Sequence, residues 1–267
     1  MKSPWFPGHM ARAKRELQAL LKFAHLTIVV LDSRAPFSSL NPDFEKLFTG
    51  KEILYLLNKS DLAETDATKK WLLFFNKSDN NTLIFDALTG RGANELFNEI
   101  KKLKLEIISR RSRKKIQSKN IRILVCGIPN AGKSSVINVL AGRARARTGK
   151  KAGVTVGVQW INLPDDLSVM DTPGILMPRI KDSSSLWKLA LTGAIKDEVL
   201  PLEEIAEDLL NFLQDKKVEC PASLGGWANE RGFLSKGGEP DLEKAALNLI
   251  KTFREGKFGR ITLEMPE

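Results

Sequence analysis

One eight-residue stretch of this 267-residue chain limits its fold more than any other: residues 127–134 read Gly-Ile-Pro-Asn-Ala-Gly-Lys-Ser. They follow a run that predicts a buried strand, 121–126, and precede one that predicts a helix, 135–140. A glycine-bounded loop in this context binds phosphate, because the backbone N–H groups of the loop and the helix N-terminus converge on the anion. The stretch therefore predicts a phosphate loop for a nucleoside triphosphate, without specifying the base.

Residues of this phosphate loop have separate predicted roles. Lys133 reaches the β- and γ-phosphates and assists catalysis, and the Ser134 hydroxyl binds Mg²⁺. The other predicted nucleotide contacts in this part of the chain are Pro129, Asn130, Ala131, Gly132 and Ser135.

Two later segments are predicted to complete the γ-phosphate and Mg²⁺ site. Thr155 offers a second hydroxyl to Mg²⁺. Asp171 ends a predicted strand and is placed to hold the Mg²⁺ shell, and the Gly174 N–H is placed to contact the γ-phosphate during catalysis. An Asp-Thr-Pro-Gly turn is common by itself, but its position downstream of a phosphate-binding lysine favours this function.

Strands and helices alternate through most of the chain. Predicted strands at 26–32, 52–57 and 82–85 each precede a helical pattern, and a hydrophobic content of 42% is ample for a buried core. The alternation predicts an α/β fold with a doubly wound, mostly parallel sheet over residues 1–177. Strand signals are few from there on, so residues 178–267 are predicted to form a small C-terminal α-helical domain.

The sequence Asn58-Lys59-Ser60-Asp61 follows the second predicted strand, at the edge where open α/β sheets bind ligands. Asp61 can accept both N–H groups of the Watson–Crick edge of guanine, whereas adenine has no matching pair of donors. Asn58 can donate to the neighbouring base oxygen, and the stem of Lys59 can cover the ring. In a chain with a phosphate loop, this short motif favours a guanine nucleotide, GTP or GDP.

A second loop, residues 86–92, follows the next predicted strand. The Ala87 N–H is a candidate donor to the guanine oxygen, and Asp86 beside it is a further candidate for nucleotide contact. A plain turn from strand to helix explains the same residues equally well.

The net charge of the chain is +10, and the positive excess lies within residues 1–200, whereas 201–267 is net negative. Two basic segments, 110–119 and 143–151, lack apolar periodicity and are predicted to be a linker and a mobile loop. A basic surface suits nucleic acid or an anionic membrane, although scattered lysine and arginine also serve solubility.

No apolar stretch approaches the roughly 18 residues of a membrane span, so we expect a soluble protein with no membrane partner. The two cysteines, Cys126 and Cys220, are far apart and have neither disulfide nor zinc spacing. Their spacing fits a reducing, cytoplasmic location. We expect the protein to be a monomer.

The motifs run in the order base recognition, phosphate loop, threonine and Asp-x-x-Gly, whereas the common GTPase order places base recognition last. Together with Trp5-Phe6-Pro7-Gly8-His9-Met10, Asp32-Ser33-Arg34-Ala35-Pro36 and the tail 256–263, this arrangement resembles the circularly permuted GTPase family of ribosome biogenesis GTPase A, also called YlqF. The resemblance covers nearly the whole chain. One departure is that the family's usual Ser-Ala in the guanine loop is Asp86-Ala87 here.

The resemblance implies GTP binding and hydrolysis in late assembly of the large ribosomal subunit, with its precursor and ribosomal RNA as partners. It also implies that the helical domain, residues 178–267, contacts the RNA. It implies a catalytic role for His9, for which a structural histidine is the alternative. Ile175 stands where many GTPases carry a water-orienting glutamine, so hydrolysis should be slow alone and faster with the ribosomal particle. Asn130 matches the asparagine with which related GTPases hold K⁺, and a turn-stabilising function explains it equally well.

Two other functions remain open from the sequence. The first is a GTP-dependent RNA-binding module in which hydrolysis is incidental. The second is an ATPase built on the same phosphate loop, which competition between ATP and labelled GTP would exclude.

Overall fold

A six-stranded sheet forms the centre of the larger of two structural units in this computed structural model. The structure describes residues 7–40, 46–48, 50–77, 81–113, 120–148, 160–171 and 183–266. In chain order the strands are β1 (Leu26–Asp32), β2 (Glu52–Asn58), β3 (Asn81–Ile84), β4 (Ile121–Gly127), β5 (Trp160–Leu163) and β6 (Leu167–Asp171). The spatial order is β3-β2-β1-β4-β6-β5.

All neighbouring strands are parallel except β5, which pairs antiparallel with β6. The order runs outward from β1 to β3 on one side and resumes at β4 on the other, which makes the β1–β4 junction a topological switch point. Every residue of β1 is buried, as its continuous β-branched run predicts for an inner parallel strand. The predicted α/β fold with a mostly parallel sheet is confirmed.

Five described helices belong to this unit: α1 (Pro7–Leu21), α2 (Pro36–Ser39), α3 (Thr65–Asn76), α4 (Ala93–Arg113) and α5 (Lys133–Thr148). The longer ones cover the sheet with apolar residues at helical spacing, and their core positions include Leu17, Trp71, Leu96, Ile100 and Val136. In the sequence, Asn41 as N-cap and Pro42 at the first helical position predict a further helix that ends at about Phe48. Its last residues, Lys46–Phe48, form a 3₁₀ turn, and residues 41–45 lie outside the described part of the chain.

The basic segment 143–151 does not begin as a loop, contrary to the prediction, because α5 continues to Thr148. Its alternating arginine and alanine residues are good helix formers, and this local preference outweighs the lack of an apolar stripe. The predicted linker 110–119 likewise begins inside α4, which ends at Arg113, and residues 114–119 lie outside the described part. No helix within the described residues is long and apolar enough to cross a membrane.

The second unit spans Ile180–Ile261 and is helical in its described part. Its helices are α6 (Ser183–Leu191), α7 (Leu202–Asp215), α8 (Leu224–Arg231) and α9 (Leu242–Arg254). The last helix packs against α7 and α8 through an apolar stripe, and the Asp241 side chain caps its first turn by accepting from the Lys244 N–H (3.1 Å). Arg254, near its end, forms two hydrogen bonds with the Asp197 carboxylate (2.9 and 2.7 Å).

Residues 262–266, the last that the structure describes, pack with the sheet-containing unit, although the predicted boundary placed them in the helical domain. The Leu263 N–H donates to the Arg34 carbonyl (2.8 Å), and the Trp71 indole donates to the Glu264 carbonyl (3.0 Å). These contacts join residues that are far apart in sequence, and the tail itself has no helical or strand periodicity. Sequence patterning therefore could not locate it, and the predicted division at residue 177 stays a prediction.

Candidate nucleotide-binding site

The predicted binding motifs meet at one edge of the sheet because their strands run parallel. Asp32 at the end of β1 pairs in register with Asn58 at the end of β2, and Val30 of β1 pairs with Gly127, where the phosphate loop begins. On the other side of β4, Asp171 ends β6. Five of the six strands thus end with their carboxyl termini toward the same edge, which is where ligands bind in open α/β sheets.

The phosphate loop follows β4 directly and leads into α5. Its first glycine, Gly127, approaches β1 so closely that a Cβ there would lie 2.5 Å from the Val30 carbonyl oxygen. Asn130 and Gly132 both have positive φ, 58° and 98°, so the chain turns through left-handed conformations before the helix begins. The Lys133 side chain is buried and donates from Nζ to the Ile128 carbonyl (3.0 Å), which holds its ammonium group over the loop.

Asn58 ties the phosphate loop to the loop after β3. Its Nδ2 donates to the Ala131 carbonyl (2.7 Å), and its Oδ1 accepts from the Ala87 N–H (3.0 Å). The side chain is 1% exposed, so both hydrogen bonds are shielded from water. This cross-link differs from the predicted donation to the base, and it also engages the Ala87 N–H that was expected to reach the guanine oxygen.

A buried ion-pair network holds Lys59, which follows Asn58 in the same motif. Arg34 donates to both Asp32 carboxylate oxygens (2.9 and 2.8 Å), and Lys59 Nζ lies 3.0 Å from Asp32 Oδ2. Burial would raise the pKa of the Asp32 carboxyl, but the charges and hydrogen bonds of Arg34 and Lys59 outweigh it and hold that pKa well below its usual range. Asp32 is therefore ionised, and it fixes the ammonium of Lys59 at the sheet edge.

Asp32 and Arg34 had no predicted function. A signal for them does exist in the sequence, since an aspartate that ends a buried strand must be paired, and an arginine two residues later is a suitable partner. Asp61, by contrast, is partly exposed, and its carboxylate makes no hydrogen bond to any residue in the described part of the chain.

The Asp86 carboxylate shapes its own loop. Its Oδ1 accepts from the Leu88 N–H (2.9 Å) and the Thr89 N–H (3.4 Å), and its Oδ2 accepts from the Thr89 hydroxyl. The loop also closes through a hydrogen bond from the Asp86 N–H to the Arg91 carbonyl (3.0 Å). These contacts fit the alternative of a strand-to-helix turn, and the predicted nucleotide contact of Asp86 stays a prediction.

The donor set at this edge suits Mg²⁺ bound together with phosphate. Ser134 and Ser135 are exposed in the first turn of α5, and Asp171 pairs with Val125 two residues before the phosphate loop begins. Mg²⁺ prefers oxygen ligands and is usually bound through one or two protein groups plus substrate phosphates and water. The described residues contain no cluster of three or more His, Cys, Asp or Glu side chains that could hold a metal ion.

Some predicted site residues lie outside the described part of the chain. These are Thr155 and Gly174, together with the side chains of His9 in α1 and Asp171 in β6. Pro129 is half-buried and Ala131 is buried, both within the phosphate loop.

Comparisons with known proteins agree with this geometry. Residues 122–227 match the family model described as 50S ribosome-binding GTPase. The chain is 38% identical to ribosome biogenesis GTPase A of Bacillus licheniformis, over 98% of both chains, and 35% identical to that of Thermotoga maritima, over 98% of this chain and 94% of the relative. Its fold is similar to the crystal structure of GNP-bound YlqF from T. maritima, with a TM-score of 0.74, 32% identity and coverage of 96% and 99%.

Proposed function

From the premise that this chain belongs to the ribosome biogenesis GTPase A family, we propose that it is a GTP-hydrolysing switch in late assembly of the large ribosomal subunit. It is a GTPase of ribosome biogenesis with a circularly permuted P-loop fold. The observation that carries the proposal is the cross-link by Asn58, because it joins a base-recognition motif to a phosphate loop at the carboxyl edge of one sheet.

Guanine is recognised by the residues that follow β2. The Asp61 carboxylate accepts both N–H groups of the Watson–Crick edge, and the stem of Lys59 covers the ring while Asp32 holds its ammonium group. As a test, Asp61→Asn replaces one acceptor by a donor, which should weaken GTP binding by about 1–3 kcal/mol. The same variant should gain relative affinity for xanthosine nucleotides, whose base carries an acceptor at that edge. Unchanged GTP affinity in a titration would rule out this function of Asp61.

The phosphates bind at the loop between β4 and α5. Lys133 contacts the β- and γ-phosphates, the N–H groups of the loop surround them, and the Gly174 N–H contacts the γ-phosphate. Ser134, Thr155 and Asp171 would hold Mg²⁺, which neutralises charge on the β- and γ-phosphates when it is bound. Asn130, at the exposed bend of the loop, is our candidate ligand for K⁺.

The residue after Gly174 cannot orient the attacking water, so another group must do so. The Ile175 side chain has no group that can donate or accept a hydrogen bond, so hydrolysis by the protein alone should be slow. We assign His9 to the positioning of water, a task that suits an imidazole near neutral pH. When a partner supplies a missing catalytic group as an arginine finger, the rate rises roughly 10³- to 10⁵-fold. We therefore expect the ribosomal particle to stimulate turnover.

The test compares GTP turnover with and without large-subunit precursor particles, in K⁺ and in Na⁺. We expect low activity alone, higher activity in K⁺, and a further rise with particles that His9→Ala loses while its GTP affinity is unchanged. Equal stimulation of the wild type and His9→Ala would contradict the function of His9. Absence of any stimulation would contradict the proposed partner.

Ribosomal RNA is the proposed polyanionic partner. The basic segments 110–119 and 143–151 supply positive charge. The helical domain is net negative, so its RNA contact rests on the family resemblance and not on its charge. A cytoplasmic monomer without a membrane partner completes the proposal.

A further inference from the structure

The C-terminal tail, residues 262–264, holds two segments of the sheet-containing unit together. The first loop is residues 33–40, which include the short helix α2, and the second loop is residues 62–64. On the first loop, the Glu264 carboxylate accepts from the Ser38 N–H (2.8 Å) and the Ser38 hydroxyl (2.6 Å). On the second loop, the Glu64 N–H donates to the Thr262 hydroxyl (3.0 Å). Hydrogen bonds of the Leu263 N–H to Arg34 and of the Trp71 indole to the Glu264 carbonyl complete the attachment.

Both loops flank the residues that recognise the base. The first loop follows β1 and carries Arg34, whose guanidinium binds Asp32, which in turn holds Lys59. The second loop follows Asp61 directly and leads into α3. Two separate connections therefore run from the tail to the base-recognition motif, one through an ion-pair network and one through the backbone.

Two residues of the tail and the indole that contacts it are well buried. Thr262 is 3% exposed and Leu263 is 6% exposed, and Trp71 beneath them is 2% exposed. Hydrogen bonds between a carboxylate and neutral donors are stronger than neutral ones, and the two from Ser38 to Glu264 have short, direct geometry.

We propose that Thr262, Leu263 and Glu264 are positioning residues for guanine recognition: they hold the loops after β1 and β2 in the arrangement in which Lys59 and Asp61 bind the base. This inference rests on the proposed function of those two residues. Displacement of the tail would therefore release the nucleotide faster.

The test measures the dissociation rate of fluorescent GDP by stopped flow at a temperature where every variant is folded. Glu264→Ala removes both hydrogen bonds from Ser38 and should release GDP at least about tenfold faster, since one hydrogen bond to a charged group is already worth about that factor. Glu264→Gln retains one acceptor and should lie between this variant and the wild type. Met265→Ala is the matched control, since Met265 lies in the same tail, is 47% exposed and makes no hydrogen bond within the described residues.

A second measurement separates positioning from a purely structural function. We expect Glu264→Ala to lower the preference for GDP over inosine diphosphate, which lacks the 2-amino group that Asp61 would bind. A structural function alone would lower the thermal midpoint and leave both the GDP release rate and this preference unchanged, which would overturn the proposal. Should Glu264→Ala fail to fold, Ser38→Ala removes one of the same hydrogen bonds and carries the same expectation.

Measurements on the wild type distinguish the proposed function from the proposed positioning by the tail. If the wild type prefers guanine nucleotides but Glu264→Ala and Ser38→Ala behave like it, only the positioning function of the tail is overturned. If the wild type itself binds adenine and guanine nucleotides equally, the proposed function is overturned, and the tail proposal with it.

Discussion

Replacement of Asn58 by alanine should separate the phosphate loop from the loop that follows β3. The change removes a donor 2.7 Å from the Ala131 carbonyl and an acceptor 3.0 Å from the Ala87 N–H, at a position that is 1% exposed. A buried polar group left without a partner costs about 1–3 kcal/mol. Some water will enter the space vacated by the amide, so we expect a net loss of about 2–4 kcal/mol in the free energy of unfolding of the sheet-containing unit.

Asn58→Asp distinguishes hydrogen bonding from packing. Aspartate has nearly the same shape and retains the acceptor for the Ala87 N–H. However, it places a carboxylate oxygen opposite the Ala131 carbonyl, where the amide donated. We therefore expect Asn58→Asp to destabilise the protein at least as much as Asn58→Ala, although it removes almost no volume.

The assay is thermal unfolding without nucleotide, together with titration of fluorescent GDP. For a domain of this size each kcal/mol lowers the midpoint by roughly 2–4 °C, so the effect is readily measured. Asn138→Ala serves as control, because Asn138 is exposed on α5 and alanine is the better helix former. If Asn58→Ala unfolds at the same temperature as Asn138→Ala and binds GDP equally well, the cross-link does not hold the site together.

Two further predictions concern buried charge and pH. Asp32→Ala leaves the buried Arg34 guanidinium without its carboxylate and should lower the free energy of unfolding in urea by about 3–5 kcal/mol. The control Glu16→Ala breaks an exposed pair with Arg12 and should leave the urea midpoint nearly unchanged. Equal effects of the two variants would contradict the importance of the buried pair. The pKa of His25 is lowered from 6.5 to about 4, first by burial and then by the charges of Arg111, Arg122 and Lys51. As the pH drops from 6.5 toward 4, the unfolded state therefore binds a proton that the folded state does not, and the free energy of unfolding should fall. Because the ring is partly exposed, we expect the free energy of unfolding to fall by about 1–2 kcal/mol over this pH range. His25→Asn should not show this fall, although its side chain can still accept from the Arg122 N–H. An identical pH profile of stability for both proteins would contradict this prediction.

The local motifs of this chain could be predicted because each is contiguous in sequence. The phosphate loop and the sequence from Asn58 to Asp61 carry their binding groups within a few residues, and the flanking strand and helix patterns place them at an edge of a sheet. Apolar runs long enough for buried parallel strands also predicted β1 and β4 correctly.

The contacts between motifs could not be predicted in the same way. The two partners of Asn58 come from different loops, and the choice of partner depends on which strands are neighbours in the sheet. The tail contacts join Glu264 to Ser38 and to Trp71 across most of the chain, without any periodic signal. In residues 143–148, the density of positive charge predicted a loop, and the intrinsic helix preference of alanine and arginine proved stronger.

The central claim, that GTP switches this protein onto the large-subunit precursor, is tested most directly by co-sedimentation. Purified protein is mixed with large-subunit precursor particles and with a non-hydrolysable GTP analogue, with GDP or with no nucleotide, and the bound fraction is measured after a sucrose cushion. Our account predicts a high bound fraction with the GTP analogue, a low fraction with GDP, and loss of the difference in Asp61→Asn. Equal binding in all three nucleotide states, or no binding in any of them, would contradict it.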